Sequence, residues 1–451
     1  MLEEARCRSD LAQSVHDKLL RAVSPARMEA LVAQQSADSR DRHYPPLVTL
    51  GLFVEQALHC DQACQDAVGR ALSQRTALGL PSSSLNTGPY CRARQRLALG
   101  LIETLAQEVA VTTRAAAPDH WRWRGREIKL IDGTTVSMPD TASNQTAFPQ
   151  NCHQKPGLGF PQARIVGVIS LSTGCVNHWT VSACEGKGTH EIVHLWRLRD
   201  AFQPGDVVIA DRAYGSYFLI AALHQRGVDC VIREHQRRKS ELGRAVSLGV
   251  NDQRLTWDKP KCPLWMDADT YAAMPEQIAV RQVRDRDWKI TTTLTDPAAV
   301  KATEIAWLYR QRWQIELDFR SIKCEMQMDI LRCKTPEMVQ KEIAVHLLGY
   351  NLIRSAMAQA VSATMSLPRQ LSFAAARRTV AALQEQVRHN PHANYAFTRN
   401  ALLHRIACAR VPHRPNRIEP RALKRRPSNY HLLTVPRTIA RQRLQQQQNC
   451  A

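Results

Sequence analysis

The chain has 451 residues, 44% of them hydrophobic, and a formal charge of +20 from 61 Lys and Arg against 41 Asp and Glu. That length supports two or three domains around a sizeable core. No run of about 18 apolar residues argues for a membrane span, and the N-terminus has no apolar leader of the secretory kind. The cationic excess favours a polyanionic partner, because each neutralised phosphate releases counterions. Thirteen cysteines, an odd number scattered singly, argue for a reducing compartment and a soluble cytoplasmic protein. The one local cluster, His59, Cys60, Asp61 and Cys64, lacks a second ligand pair and is not expected to hold zinc.

Residues 1–118 read as mostly helical, with helix-like apolar spacing at 11–23, 46–58 and 62–72. A helix over 90–105 carries Arg92, Arg94 and Arg96 at its start. Those cations suit phosphates or a DNA groove, and suit an ordinary exposed face equally well. From Trp121 the pattern turns to β. The segment 127–138, EIKLIDGTTVSM, reads as a hairpin about Asp-Gly. Strands follow over 163–171 and 176–182, a helix over 190–201, then the short apolar strand 207–210 ending at Asp211. A helix over 217–226 and a strand over 228–233 complete an α/β pattern with a mixed sheet.

Residues 234–295 interrupt this order as a β-rich insertion, with a basic turn at 237–239 and strand-like pieces at 255–257, 277–283 and 289–294. Next comes YRQRWQIELDFRSIK, over 309–323. At about 100° per residue, Tyr309, Arg312, Glu316 and Lys323 share an arc of roughly 60° on one helix. Leu308, Ile315, Phe319, Ile322 and Met326 form the adjoining apolar stripe that would seat it on a core. Helices over 337–354 and 373–385 precede an Arg-, Lys- and Pro-rich tail after Val411.

Asp132 lies in LIDGTT and Asp211 closes VVIAD. An acid at the end of an apolar strand carries a desolvation cost unless it is hydrogen-bonded or metal-bound. Singly, each suits a turn-forming Asp as well. With Glu316 they form three acids on two strand ends and one helix face, able to converge over a sheet edge. Carboxylate oxygens suit Mg²⁺ or Mn²⁺. Two such ions about 3.5–4 Å apart can serve phosphodiester chemistry.

The blocks LIDGTTVSMPD, VVIADRAYGSY and YRQRWQIELDFRSIK, in this order, resemble the insertion-sequence-four family of DDE transposases. The third carries that family's Tyr-x2-Arg-x3-Glu-x6-Lys signature, and the resemblance covers about residues 45–430. It implies a ribonuclease-H-like catalytic core over 119–360 with the β-rich insertion at 234–295. Before it would stand an N-terminal helical domain (1–118) that binds DNA ends, and after it a helical, basic C-terminal region (361–451). Asp132, Asp211 and Glu316 would be the catalytic acids and ligands of two Mg²⁺ or Mn²⁺ ions. Tyr309, Arg312 and Lys323 would contact phosphates near the scissile bond, and Arg92, Arg94 and Arg96 would contact the ends. The insertion would supply a Trp that stacks on a flipped base; of Trp257, Trp265 and Trp288, the last stands nearest the Glu316 helix. The implied partners are double-stranded DNA, as terminal inverted repeats and target, and a second copy of the chain in the synaptic complex. Two rivals remain: a metal-dependent nuclease without strand transfer, and a decayed transposase acting as a DNA-binding repressor.

Overall fold

The computed structural model describes residues 22–35, 44–77, 79, 84–186, 191–234, 245–286, 288–389, 395–412 and 433–449. The bulk of the expected helix at 11–23, the basic turn at 237–239 and most of the basic tail lie outside the described residues. Strands β1 (Ile128–Ser137), β2 (Gln162–Ser170) and β3 (Val176–Ala183) form an antiparallel meander. Beside β1 run β4 (Val207–Ala210) and then β5 (Asp229–Arg233), both in the parallel sense. The order β3-β2-β1-β4-β5 is the ribonuclease-H-like arrangement. The interrupting segment supplies β6 (Val246–Gly249), β7 (Asp252–Asp258), β8 (Gln277–Asp285) and β9 (Trp288–Thr292). Because β9 pairs antiparallel with β5, these strands widen the same sheet to nine instead of forming a layer of their own.

Helices α1 (Pro25–Gln35), α2 (Pro46–Leu58), α3 (Cys64–Ala77), α4 (Gly88–Arg96) and α5 (Leu99–Ala115) precede the sheet. Within it come α6 (Ala142–Ala147), α7 (Glu191–Leu198), α8 (Tyr217–Gln225) and α9 (Ala268–Ala272). After it follow α10 (Ala302–Arg310), α11 (Trp313–Arg320), α12 (Pro336–Val361), α13 (Phe373–His389), α14 (Tyr395–Cys408) and α15 (Arg437–Asn449). The helix expected over 90–105 is thus two helices, parted where Leu97 and Ala98 turn extended.

The four residues of β4 show why the sheet forms here. All are buried, and their alternation serves two cores. Val207 and Ile209 pack with the helices on one face, Val208 and Ala210 with α7 and α8 on the other. An inner parallel strand covered on both faces has to read as a continuous apolar run. The hairpin expected at Asp132-Gly133 does not form. Instead β1 runs unbroken from Lys129, opposite Ser170, to Ser137, opposite Gln162. Gly133 keeps an ordinary extended backbone. A turn there would have broken the ladder with β2, so long-range pairing overrides the local Asp-Gly preference.

On the helical face the 26-residue α12 is the axis. It packs against α2, α5, α13 and α14, and one apolar core joins residues from Val23 to Ile406. The helix carrying Glu316, α11, is fixed to this frame by Asp318, which is fully buried. Its Oδ1 accepts hydrogen bonds from Arg354 at 2.6 Å and from the Tyr350 hydroxyl at 3.0 Å. Its Oδ2 accepts one from Arg369 at 3.0 Å. Arg369 also donates to the carbonyls of Leu171 and Ser170 at the end of β2.

Removing one member of such a network leaves a buried charge uncompensated, which costs roughly 3–5 kcal/mol. Asp318→Asn should therefore lower the unfolding free energy in urea by about 3 kcal/mol. Asp200→Asn, which removes an exposed carboxylate bound to Arg226, should cost no more than about 1 kcal/mol. Equal losses for the two would mean that the network does not secure α11.

Candidate active site

Asp132 and Asp211 are brought together by strand register. Ile131 of β1 lies opposite Ala210 of β4, so the two aspartates are the next pair on strands about 4.8 Å apart. Ile131 and Ala210 face the α7–α8 core. Alternation therefore turns Asp132, and Asp211 behind its extended backbone, towards the side covered by α11. Each is fixed locally. Asp132 Oδ1 accepts from the Gly133 N–H at 2.8 Å, and Asp211 Oδ1 accepts from the Ala213 N–H at 2.6 Å. The second bond caps the turn Arg212–Tyr214.

Glu316 arrives from above. Helix α11 sits close over the sheet because Gly167, paired with Asp132, has no side chain: a Cβ there would lie 3.4 Å from the Phe319 ring. Leu308, Ile315, Phe319, Ile322 and Met326 are all buried, as their spacing required. The expected single helix over 309–323 is nevertheless interrupted. It stops at Arg310 and resumes at Trp313, and the last three residues of the stretch with the two that follow, Ser321–Glu325, form a π-turn. The junction is held by tight i→i+3 bonds from the Gln311 and Arg312 N–H groups to Leu308 and Tyr309. No Gly or Pro marks it, so no sequence signal was there to read.

Arg312 bridges the acids. Its guanidinium donates to Asp132 Oδ2 at 3.2 Å and to Glu316 Oε1 at 2.5 Å. Tyr309 is buried beside them, its ring edge-on to Trp288 at 5.5 Å between centroids. Trp288 remains 37% exposed. Of the other two tryptophans, Trp265 packs on Trp196 and Phe218, and Trp257 packs against the α7–α8 core. Lys323 lies half-buried in the π-turn. Arg92 and Arg96 are exposed. Arg94 is not: it is 9% exposed, lies over the Phe53 and Tyr90 rings and donates to Gln56 at 3.2 Å. The expectation that it meets DNA is corrected accordingly, since its guanidinium is spent inside the helical core.

Burial pushes the Asp132 carboxyl up to about 6. Asp211 and Glu191 push the same way, against the Gly133 N–H and Arg312. Glu191, the first residue of α7, escaped the sequence reading because nothing local ties an acid at a helix start to two strand ends elsewhere. Its carboxylate lies over Gly133, where a Cβ would stand 3.0 Å from Oε1.

A donor set made wholly of carboxylates, one of them driven towards protonation by burial and its neighbours, calls for a cation. Arg312 partly answers that demand, and a hard divalent ion fits the same oxygens. Among the described residues the three acids do not themselves close to ligand spacing. The trio within 4.8 Å is Glu55, His59 and Glu385, where the Arg70 guanidinium already lies 3.3 Å from Glu55.

Residues 123–352 match the model of the transposase DDE domain. The transposase InsG for insertion sequence element IS4 of Escherichia coli K12 is 26% identical over 355 residues, 75% of this chain and 76% of that one. The transposase for insertion sequence element IS421 of Escherichia coli is 44% identical over 52 residues, 12% of this chain and 14% of its own. The piggyBac transposase synaptic complex with hairpin DNA superposes with a TM-score of 0.41 and 8% identity, over 89% of this chain and 85% of that one.

The Asp132 shift has a measurable sign. Between its ordinary value of 3.8 and about 6 the folded chain holds a proton that the unfolded chain has released. Its contribution is therefore present at low pH and is lost as pH rises through about 6, on the order of 2–3 kcal/mol. Unfolding of the metal-free protein from about pH 4.5 to pH 7 should show this decline, and Asp132→Asn should remove it. Parallel pH curves for the two proteins would refute the assignment.

Proposed function

This chain belongs to the transposase DDE-domain family, in its insertion-sequence-four branch, and we propose that it excises its own mobile element at the terminal inverted repeats. It is a DDE transposase, an enzyme that cleaves DNA and transfers strands, with DNA as its partner. In the proposed course the freed 3′-hydroxyls are joined to target DNA after cut-and-paste excision through hairpin ends, within a dimeric synaptic complex. The observation that carries this reading is the meeting of Asp132 and Asp211 at adjacent strand ends under the helix that presents Glu316.

In this reading Asp132, Asp211 and Glu316 hold two Mg²⁺ or Mn²⁺ ions, which would supply the positive charge that activates the attacking oxygen and stabilises the leaving one. The chain's own groups do the rest. Asp132 and Glu316, which share Arg312 in the free protein, would release it on holding a divalent ion, and the guanidinium would then be free to fork onto phosphate oxygens. Tyr309 and Lys323, before and after Glu316 in the chain, would add contacts to the same phosphates. Trp288, with an exposed face and an edge fixed against Tyr309, can receive an unstacked base. Exposed Arg92 and Arg96 of α4, within the N-terminal helical domain, residues 1–118, would hold the backbone of the element's ends.

Cleavage of DNA carrying the element's native ends, with Mg²⁺, tests the reading. Glu316→Ala should lose nicking on the order of 10²–10³-fold or more while still binding the ends. Supplying target DNA should yield joined product from wild type. Cleavage without joining would make it a nuclease, and binding without cleavage by either protein would make it a repressor. Trp288→Ala should weaken hairpin resolution by about 1–3 kcal/mol of lost stacking. An effect no larger than that of a distant surface change would remove Trp288 from the mechanism.

A further inference from the structure

Glu191 reaches the catalytic centre from the face opposite Glu316. Strand β4 stops at Ala210, while β1 runs on to Ser137. The β1–β4 pairing ends at Ile131 opposite Ala210, so Gly133 has no β4 partner. Helix α7 brings Glu191 to this point on a rigid mount. Leu195 is buried in the core behind the sheet. His194, also fully buried, places its Nδ1 and Nε2 each 2.8 Å from a hydroxyl of β3, those of Thr180 and Ser182.

The Glu191 carboxylate lies against the backbone at Gly133, where a Cβ would stand 3.0 Å from Oε1. Gly133 is thus the residue that lets this acid come so near Asp132. A second feature points into the same space. The Tyr214 hydroxyl is fully buried among Glu191, Asp132 and Asp211, with the Arg164 cation also near; it lies towards Glu191 but has no partner at normal hydrogen-bond geometry. A buried hydroxyl without a partner is costly, and a ligand seated among these acids would give it one.

We propose that Glu191 is a fourth carboxylate of the centre, a ligand or close outer partner of the divalent cation held by Asp132 and Asp211. The inference rests on the transposase reading above and adds a residue to it. Oxygen from the α7 side would complete a coordination shell that Glu316 approaches from the other side, and hard divalent ions take six or more oxygen donors. Glu191 would also keep the cation seated before DNA arrives, when Glu316 is still engaged by Arg312.

The test is Mn²⁺ titration of the full-length protein without DNA, followed by electron paramagnetic resonance or calorimetry, for wild type, Glu191→Gln, Glu191→Asp and Asp211→Asn. Gln has the shape of Glu but gives up its attraction to Arg164, so urea unfolding of Glu191→Gln beside wild type separates a loss of stability from the loss of a ligand. Glu191→Gln should weaken Mn²⁺ binding about 10–100-fold. Glu191→Asp, which keeps the charge on a shorter arm, should fall between. Weaker binding in Asp211→Asn with wild-type affinity in Glu191→Gln would overturn this proposal alone. Wild-type affinity in both variants would overturn the three-acid centre and this inference with it.

Discussion

The buried carboxylate of Asp318 is the contact on which the placement of the Glu316 helix depends. It stands two residues beyond Glu316 and meets Arg354 of α12, Arg369 of the turn before α13, and through Arg369 the end of β2. An isolated ionised acid in that position would be prohibitive. Two guanidinium groups and a tyrosine hydroxyl satisfy it, and the geometry that satisfies it allows α11 little freedom to slide. Glu316 inherits its height above the sheet from this fixed neighbour and from the bare Gly167 beneath Phe319. Glu316 itself is left partly exposed and bound to Arg312.

That division recurs across the centre. The aspartates are fixed by short bonds to nearby backbone, at Gly133 and Ala213, while the cation that Asp132 shares with Glu316 is the long side chain of Arg312. A site built this way holds its negative charges close together at a cost in folding energy, visible in the raised Asp132 carboxyl. Arg312 lowers that cost in the free protein. The rigid and the exchangeable parts fall on different residues, so a cation or a phosphate can change the electrostatics without moving the fold.

Much of this was legible in the sequence because it is written locally. The bounds of β4 follow from VVIA, and the apolar stripe from Leu308 to Met326 gives the buried face of α10 and α11. The ordered acid blocks give the chemistry. Legibility ended where distant pairing decides. Asp132-Gly133 carries a turn signal, but the ladder to β2 overrides it. Arg94 looks like its neighbours Arg92 and Arg96, yet a half-turn of helix points it into the rings of Phe53 and Tyr90. Glu191 belongs to the centre only because β4 is short and Gly133 is bare.

The core that joins Val23 to Ile406 also governs when this protein comes into being. Translation proceeds at about 5–20 residues per second, so the first helices wait tens of seconds for the segments they pack against. Asp318 leaves the ribosome well before Arg354 and Arg369. Until then its charge has no partner, and the nascent chain has apolar surface for chaperones to hold. A gene copy interrupted upstream of α14 would encode a chain without Leu402 and Ile406, the last residues of this core.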